Sequence, residues 1–150
     1  MPSAPAPDLT DRTLYRLWTQ DVLRYCDTDR QGHVNNAVFA TFCETGRVKF
    51  LLDPAAPLAP PGCSFVIARL ILDYRAEIRW PGEVRIGTAA LSLGRSSFIL
   101  GQGLFVAETC VATAESVIVL TDDSTRRSTP LPEATRILLA DSALAPQDPA

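Results

Sequence analysis

Asp27 and Asp29 stand just ahead of Gly32-His33, which carries the only histidine of the chain, and Asn35-Asn36 follow at once. Gly32 gives the backbone a tight turn. The two asparagines open a long stretch that reads as helix. A carboxylate, a turn and a helix N-terminus are thereby brought within a few residues of one another. A helix start has unpaired N–H groups and a partial positive charge. Such an end can polarise a carbonyl while a nearby carboxylate attacks it or activates water. The chemistry these residues point to is hydrolysis of an acyl compound.

Each of these residues also has a plainer use. Asp29 is either a catalytic base or nucleophile, or an Asx-turn residue that shapes the loop. Asp27 is expected to bond backbone within the turn. His33, an imidazole, suits general acid–base work; its plainer use is a hydrogen bond that holds the loop or meets a partner subunit. Asn35 suits a helix N-cap, with Asn36 as first helical residue and its backbone N–H more important than its side chain. Glu44 and Arg47 are most simply an i,i+3 ion pair, although Glu44 could instead hold a water. There is no G-x-S-x-G elbow to support a serine hydrolase mechanism, and no Gly-rich phosphate loop.

The elements that must position this loop follow from patterning. Tyr15 to Tyr25 mixes apolar and polar residues and fits a first strand, closed by the Asp/Gly/Asn cluster. Ala37 to Leu52 reads as a helix with Phe39, Phe42, Cys43, Gly46 and Phe50 on one stripe. Val38, Val48, Leu51 and Leu52 flank the stripe, so the helix is expected to be mostly enclosed; Lys49 falls near its apolar side and must snorkel. Asp53-Pro54 ends it. A Pro-rich loop from Leu52 to Gly62 leads into strand-like segments at Ser64–Ile78, Glu83–Leu93, Ser97–Val106 and Cys110–Leu120. Both faces of the last are apolar, as for a strand covered on both sides or near a subunit interface. Pro130–Ala140 reads as a short C-terminal helix. One helix cannot alone cover such a sheet, so the sheet must curl around it and the remaining edge and face invite a partner.

Composition narrows the class. A chain of 150 residues is one domain's worth and can bury roughly 68–70% of its unfolded surface without disulfides. Residues 1–12 are expected to be a flexible N-terminal segment, 13–141 the single domain, and 142–150 a flexible tail. A net charge of −3 with pI near 5.1 argues against a nucleic-acid partner. Cys26, Cys43, Cys63 and Cys110 show no C-x-x-C spacing and meet a single His, so no metal site is expected. They read as reduced thiols of a cytoplasmic protein. The first ten residues lack the features of a signal peptide, and no apolar run reaches the length of a membrane span.

The motif Tyr25-x-Asp27-x-Asp29-x-x-Gly32-His33-Val34-Asn35-Asn36, followed by Phe42-x-Glu44-x-x-Arg47, resembles the hotdog-fold acyl-CoA thioesterases of the 4-hydroxybenzoyl-CoA thioesterase-like group. Weaker echoes are Asp73-Tyr74-Arg75, Pro81-Gly82-Glu83 and Gly94-Arg95-Ser96-Ser97. The resemblance implies an α+β hotdog fold: a curled five-stranded antiparallel sheet wrapped around one long central helix, plus the short C-terminal helix. It implies dimers joined through a continuous sheet, or tetramers built from such dimers, with the active site at the dimer interface. The second acid of the Asp-x-Asp pair, Asp29, would be the catalytic carboxylate. The Asn36 backbone N–H would polarise the carbonyl, with His33 and Glu44 as further candidates. Gly32, Val34, Asn35, Ser96 and Ser97 would contact the substrate, the serines either lining the pantetheine channel or simply starting a strand. The reaction implied is release of a carboxylic acid from CoA, with CoA as part of the substrate and no cofactor. A carrier-protein thioesterase and a non-catalytic acyl-binding dimer are the alternatives.

Overall fold

The apolar stripe of the long helix decides what the rest of the chain must do. In the computed structural model, which describes residues 5–146, that helix is α1, Asn36–Leu51. It buries Phe39, Phe42, Cys43, Gly46, Arg47 and Leu51. Phe50, expected on the stripe, is only half-buried, and Leu51 takes the core position beside it. The strands are β1 (Leu17–Val22), β2 (Cys63–Tyr74), β3 (Glu83–Leu93), β4 (Ser97–Val106) and β5 (Thr109–Asp122), and a short helix α2 (Glu133–Asp141) follows. They form one antiparallel sheet in the order β1-β3-β4-β5-β2. The expected five-stranded antiparallel hotdog sheet, curled around one long helix and followed by a short one, is present.

Two core clusters lie along α1. Phe39, Phe42 and Cys43 pack on Val84, Ile86 and Leu104. Leu51 packs with Leu58, Phe98, Leu100 and Leu120, where Leu139 of α2 closes the end. Fully burying a side chain such as Phe42 contributes about 1.5–3 kcal/mol. Gly46 is what lets the helix come this close. A Cβ there would lie 2.7 Å from both Ile86 Cγ2 and Gln102 Nε2, and 3.0 Å from Thr88 Oγ1. Gln102 is fully buried, and its Nε2 donates to the Cys43 carbonyl at 3.0 Å and to Thr88 Oγ1 at 3.1 Å. A helix-to-sheet hydrogen bond thus fixes the depth of α1.

A third cluster sits around Leu9, Tyr15, Ala89 and Phe105. The Tyr15 ring lies against Gly87, and its hydroxyl donates to the Leu9 carbonyl at 2.7 Å. Leu144 packs on this cluster, and the Ala145 N–H donates to the Leu14 carbonyl at 2.8 Å. The packed region therefore reaches beyond the 13–141 bounds read from the sequence at both ends. Residues 1–4 and 147–150 of the two expected flexible ends lie outside the described residues. Pro/Ala composition hid these contacts because each end is held by one or two leucines rather than by a periodic run.

β5 is interior to the sheet, between β4 and β2, and buries consecutive residues of both faces over residues 111–114. β2 is an edge. A bulge between Ile67 and Arg69 changes which residues face α1. Before it, Phe65 points to the core; after it, Leu70 and Leu72 do. The strand expected to run to Ile78 ends at Tyr74, where both the Arg75 and Ala76 N–H groups donate to the Val111 carbonyl. Residues 75–78 then leave the sheet, and the Ile78 carbonyl accepts from Val34 N–H at 2.8 Å.

Gly46→Ala is expected to cost about 1–3 kcal/mol by overpacking against Ile86, Thr88 and Gln102. Urea denaturation followed by far-UV circular dichroism measures it.

Candidate active site

The loop between β1 and α1 is built from hydrogen bonds that separate its two acids. Asp27 is buried at 6% exposure, and its Oδ2 accepts from the Arg24 backbone N–H at 2.9 Å and from Arg24 Nε at 3.3 Å. Its carbonyl accepts from Asn35 N–H at 2.9 Å. Asp27 is thus committed to structure, as expected. The hydrogen bond and charge of Asp27 raise the Arg24 pKa.

Asp29 turns the other way. Its Oδ1 accepts from Gln31 N–H at 2.8 Å in an Asx-type turn, and its backbone N–H donates to the His33 carbonyl at 2.9 Å. Gly32 adopts φ +85°, which favours glycine, and a Thr28–Val34 bridge closes the loop. Asp29 Oδ2, the oxygen not used in the turn, lies 3.9 Å from His33 Nδ1. His33 Nε2 is in turn 3.7 Å from Glu77 Oε1. The turn-forming use of Asp29 is realised, whereas the His33 side chain makes no hydrogen bond among the described residues, and one Asp29 carboxylate oxygen stays available.

Asn35 caps α1, its Oδ1 accepting from Ala37 N–H at 2.9 Å, and Asn36 is the first helical residue. The Asn36 N–H has no partner inside the helix. The Asn36 carbonyl accepts from the Tyr74 hydroxyl at 3.0 Å. A cleft of about 240 Å³ opens here, lined by His33, Val34, Asn36, Phe39, Tyr74, Arg75, Ala76 and Glu77. The structure therefore brings Asp29, Gly32, His33, Val34, Asn35 and Asn36 to one edge. Val34 is buried at 1% exposure and presents mostly backbone.

Other candidates lie elsewhere in the protomer. Glu44 is about 12 Å farther along α1, at ~1.5 Å per residue, and lines a separate cleft beside Arg47. The expected Glu44–Arg47 ion pair does not form: Arg47 Nη1 has no hydrogen-bond partner among the described residues. The sequence spacing permits that pair, but Arg47 lies on the buried side of the helix and Glu44 on the exposed side. Ser96 and Ser97 sit at the turn into β4, where Ser97 is level with Val119 and so with Val66 of β2. That is roughly 26 Å of strand, at ~3.3 Å per residue, from Tyr74. Within one protomer the serines do not meet the cleft.

Glu77 was not legible as a site residue. It lies in the irregular stretch after β2, with no periodic pattern, and only the return of that stretch onto the loop places it beside His33. A further cavity of about 330 Å³ lies between β1, the C-terminal half of α1 and α2, and Lys49 lines it.

A family model described as the thioesterase-like superfamily matches residues 23–139. The chain belongs to the thioesterase-like superfamily. The match takes in the loop of the two acids, α1 and β2 through β5. Among solved structures, a Thermus thermophilus thioesterase complexed with coenzyme A and zinc is similar at 30% identity and TM-score 0.73, covering 83% of this chain and 98% of that one. A thioesterase of Bacillus stearothermophilus, described as predicted, is similar at 25% identity and TM-score 0.77, covering 87% and 98%. The PA5185 protein of Pseudomonas aeruginosa shares the fold at 24% identity and TM-score 0.79, covering 91% and 97%. No curated protein matches the chain. Among the described residues no group of three or more His, Cys, Asp or Glu is placed to hold a metal, and no helix is long and apolar enough to cross a membrane.

The two acids should separate in stability as they do in geometry. Asp27→Ala strands the Arg24 N–H inside the loop and is expected to cost about 1–3 kcal/mol. Asp29→Asn keeps the Oδ1 acceptor for Gln31 and should stay within about 0.5 kcal/mol of the parent. Paired urea melts check both.

Proposed function

We propose that this superfamily member is an acyl-CoA thioesterase of the 4-hydroxybenzoyl-CoA thioesterase-like group, releasing a carboxylic acid and CoA. The observation that carries the reading is the start of α1. Asn36, with an N–H free of intrahelical bonding, lines a cleft together with His33, whose Nδ1 lies 3.9 Å from the Asp29 carboxylate oxygen not used by the turn. The coenzyme A bound to the 30%-identical Thermus protein supports CoA as the carrier.

In this reading Asp29 acts on the thioester carbonyl, as general base toward water or as nucleophile. The Asn36 N–H and the positive end of α1 hold the developing oxyanion. The thiolate leaves readily, so strong acid assistance is not required. His33 sits between Asp29 and Glu77 and orients the carboxylate. Arg75, at the cleft, is the cation placed to meet a CoA phosphate. The substrate supplies the only CoA, and no resident cofactor takes part.

The acting unit is a homodimer, or a tetramer of two such dimers, in a cytoplasmic setting. β2 is a 12-residue edge strand that leaves Val66, Ile67, Ile71 and Tyr74 exposed, and an uncovered apolar edge invites antiparallel pairing with a second copy. Light scattering at micromolar concentration should give a dimer or tetramer; an active, monodisperse monomer would sink the shared-site picture.

A panel of CoA thioesters scored by kcat/KM, with free thiol as readout, tests the activity. Asp29→Asn should lower turnover at least ~10²-fold, and Asp27→Asn far less. A live Asp29→Asn enzyme would refute the assignment.

A second pair of variants isolates the oxyanion donor. Asn35 has ψ 138°, which suits a residue before proline, and proline is tolerated at the first helical position. Asn36→Pro should therefore fold yet lose roughly 10²–10³-fold in kcat, while Asn36→Ala keeps the N–H and stays active. Circular dichroism and oligomer size on both variants separate lost catalysis from misfolding.

A further inference from the structure

Arg47 is a buried cation of α1 that the candidate site does not use. Its residue is 8% exposed, its Nη1 is buried without an acceptor, and it takes part in no ion pair among the described residues. An uncompensated buried cation is costly, and a protein that keeps one supplies an anion to it. Burial lowers the pKa of this guanidinium, which the nearby Cys43 and Glu44 offset in part. Glu44 is exposed on the same cleft, one helical turn away, and takes part in no ion pair among the described residues.

The cleft of about 170 Å³ that both residues line is walled by Val48, Leu52, Phe65, Val66 and Ile67. Val48, Leu52, Val66 and Ile67 are each more than 40% exposed. This patch is continuous with the open edge of β2. Polar and apolar features together specify what covers it. α1 runs antiparallel to β2: its start meets Tyr74, and its end meets Phe65–Ile67. An antiparallel pairing of two β2 edges, about a two-fold axis, therefore also sets two α1 helices antiparallel. In an isologous interface, residue i meets residue j and j meets i. A patch carrying one unpaired acid and one unpaired guanidinium a turn apart is self-complementary in that arrangement. With the two-fold between their levels, each Glu44 stands opposite the partner's Arg47.

Resting on the homodimer reading above, we infer that Glu44 and Arg47 form two reciprocal ion pairs across the two-fold of the dimer, and that a second copy of this chain is the occupant of the cleft. The absent i,i+3 pair within the chain is then explained. The two residues are kept for each other in different protomers, which fixes the register of α1 against α1 and excludes a slipped pairing of β2.

The test is charge reversal with complementation, read by analytical ultracentrifugation alongside the parent. Glu44→Arg alone and Arg47→Glu alone place like charges opposite one another, and each should weaken self-association at least ~10²-fold. An equimolar mixture of the two variants should form heterodimers of parental strength, because each acid again meets a guanidinium. The doubly exchanged chain, Glu44→Arg with Arg47→Glu, should dimerise alone. Where Arg47→Glu fails to fold by itself, co-expression with Glu44→Arg and the doubly exchanged chain carry the test. Single variants that dimerise as the parent does, or a mixture and double exchange that stay monomeric or unfolded, overturn the pairing. A parent that is itself monomeric overturns the dimer reading instead, so the two failures are distinguishable.

Discussion

The close approach of α1 to the sheet at Gly46 is the constraint on which the rest of the molecule depends. Ile86, Thr88 and Gln102 occupy the space a side chain would need there. Gln102 then bonds the Cys43 carbonyl from below. The helix cannot slide or lift without breaking that bond and opening both core clusters. Its start is consequently held at one place relative to Tyr74 and residues 75–78. The cleft exists because that start and the return of the chain after β2 meet there.

Within the loop, two acids of like chemistry are set to different tasks by hydrogen bonding. Asp27 is drawn inward by the Arg24 backbone and guanidinium. Asp29 uses one oxygen for an Asx turn and leaves the other beside His33. Gly32 supplies the positive φ that closes the turn. The result is a rigid, short connection into a capped helix, the arrangement a preorganised donor for an oxyanion requires.

The sheet is finished on one side and open on the other. The outer face of β3 and β4 is covered by Leu9, Tyr15 and Leu144. β2 carries a bulge that turns Leu70 and Leu72 inward and leaves Ile67 and Ile71 outside. Bulges re-aim side chains and strengthen local twist at sheet edges. A long apolar edge strand is thus left uncovered next to a buried cation without an anion among the described residues.

The sequence by itself determined the element order, the long helix with its buried stripe, the N-cap at Asn35 and the backbone-bonding use of Asp27. These rest on local causes: periodicity, capping chemistry and turn preference, each contained within a few residues. It also carried the motif on which the family resemblance rested. Only the tertiary structure decided the rest. Glu77 reaches His33 because residues 75–78 fold back onto the loop. Ser96 and Ser97 lie far from the cleft because β2 is long and they belong to its other end. Glu44 and Arg47 look like an ion pair in one dimension, yet the helix turns one to solvent and one inward. Leu9 is a core residue and Leu144 packs against its cluster, in segments whose composition resembles a flexible end. In each case the deciding contact joins residues far apart in the chain, and no local pattern encodes where two such segments meet.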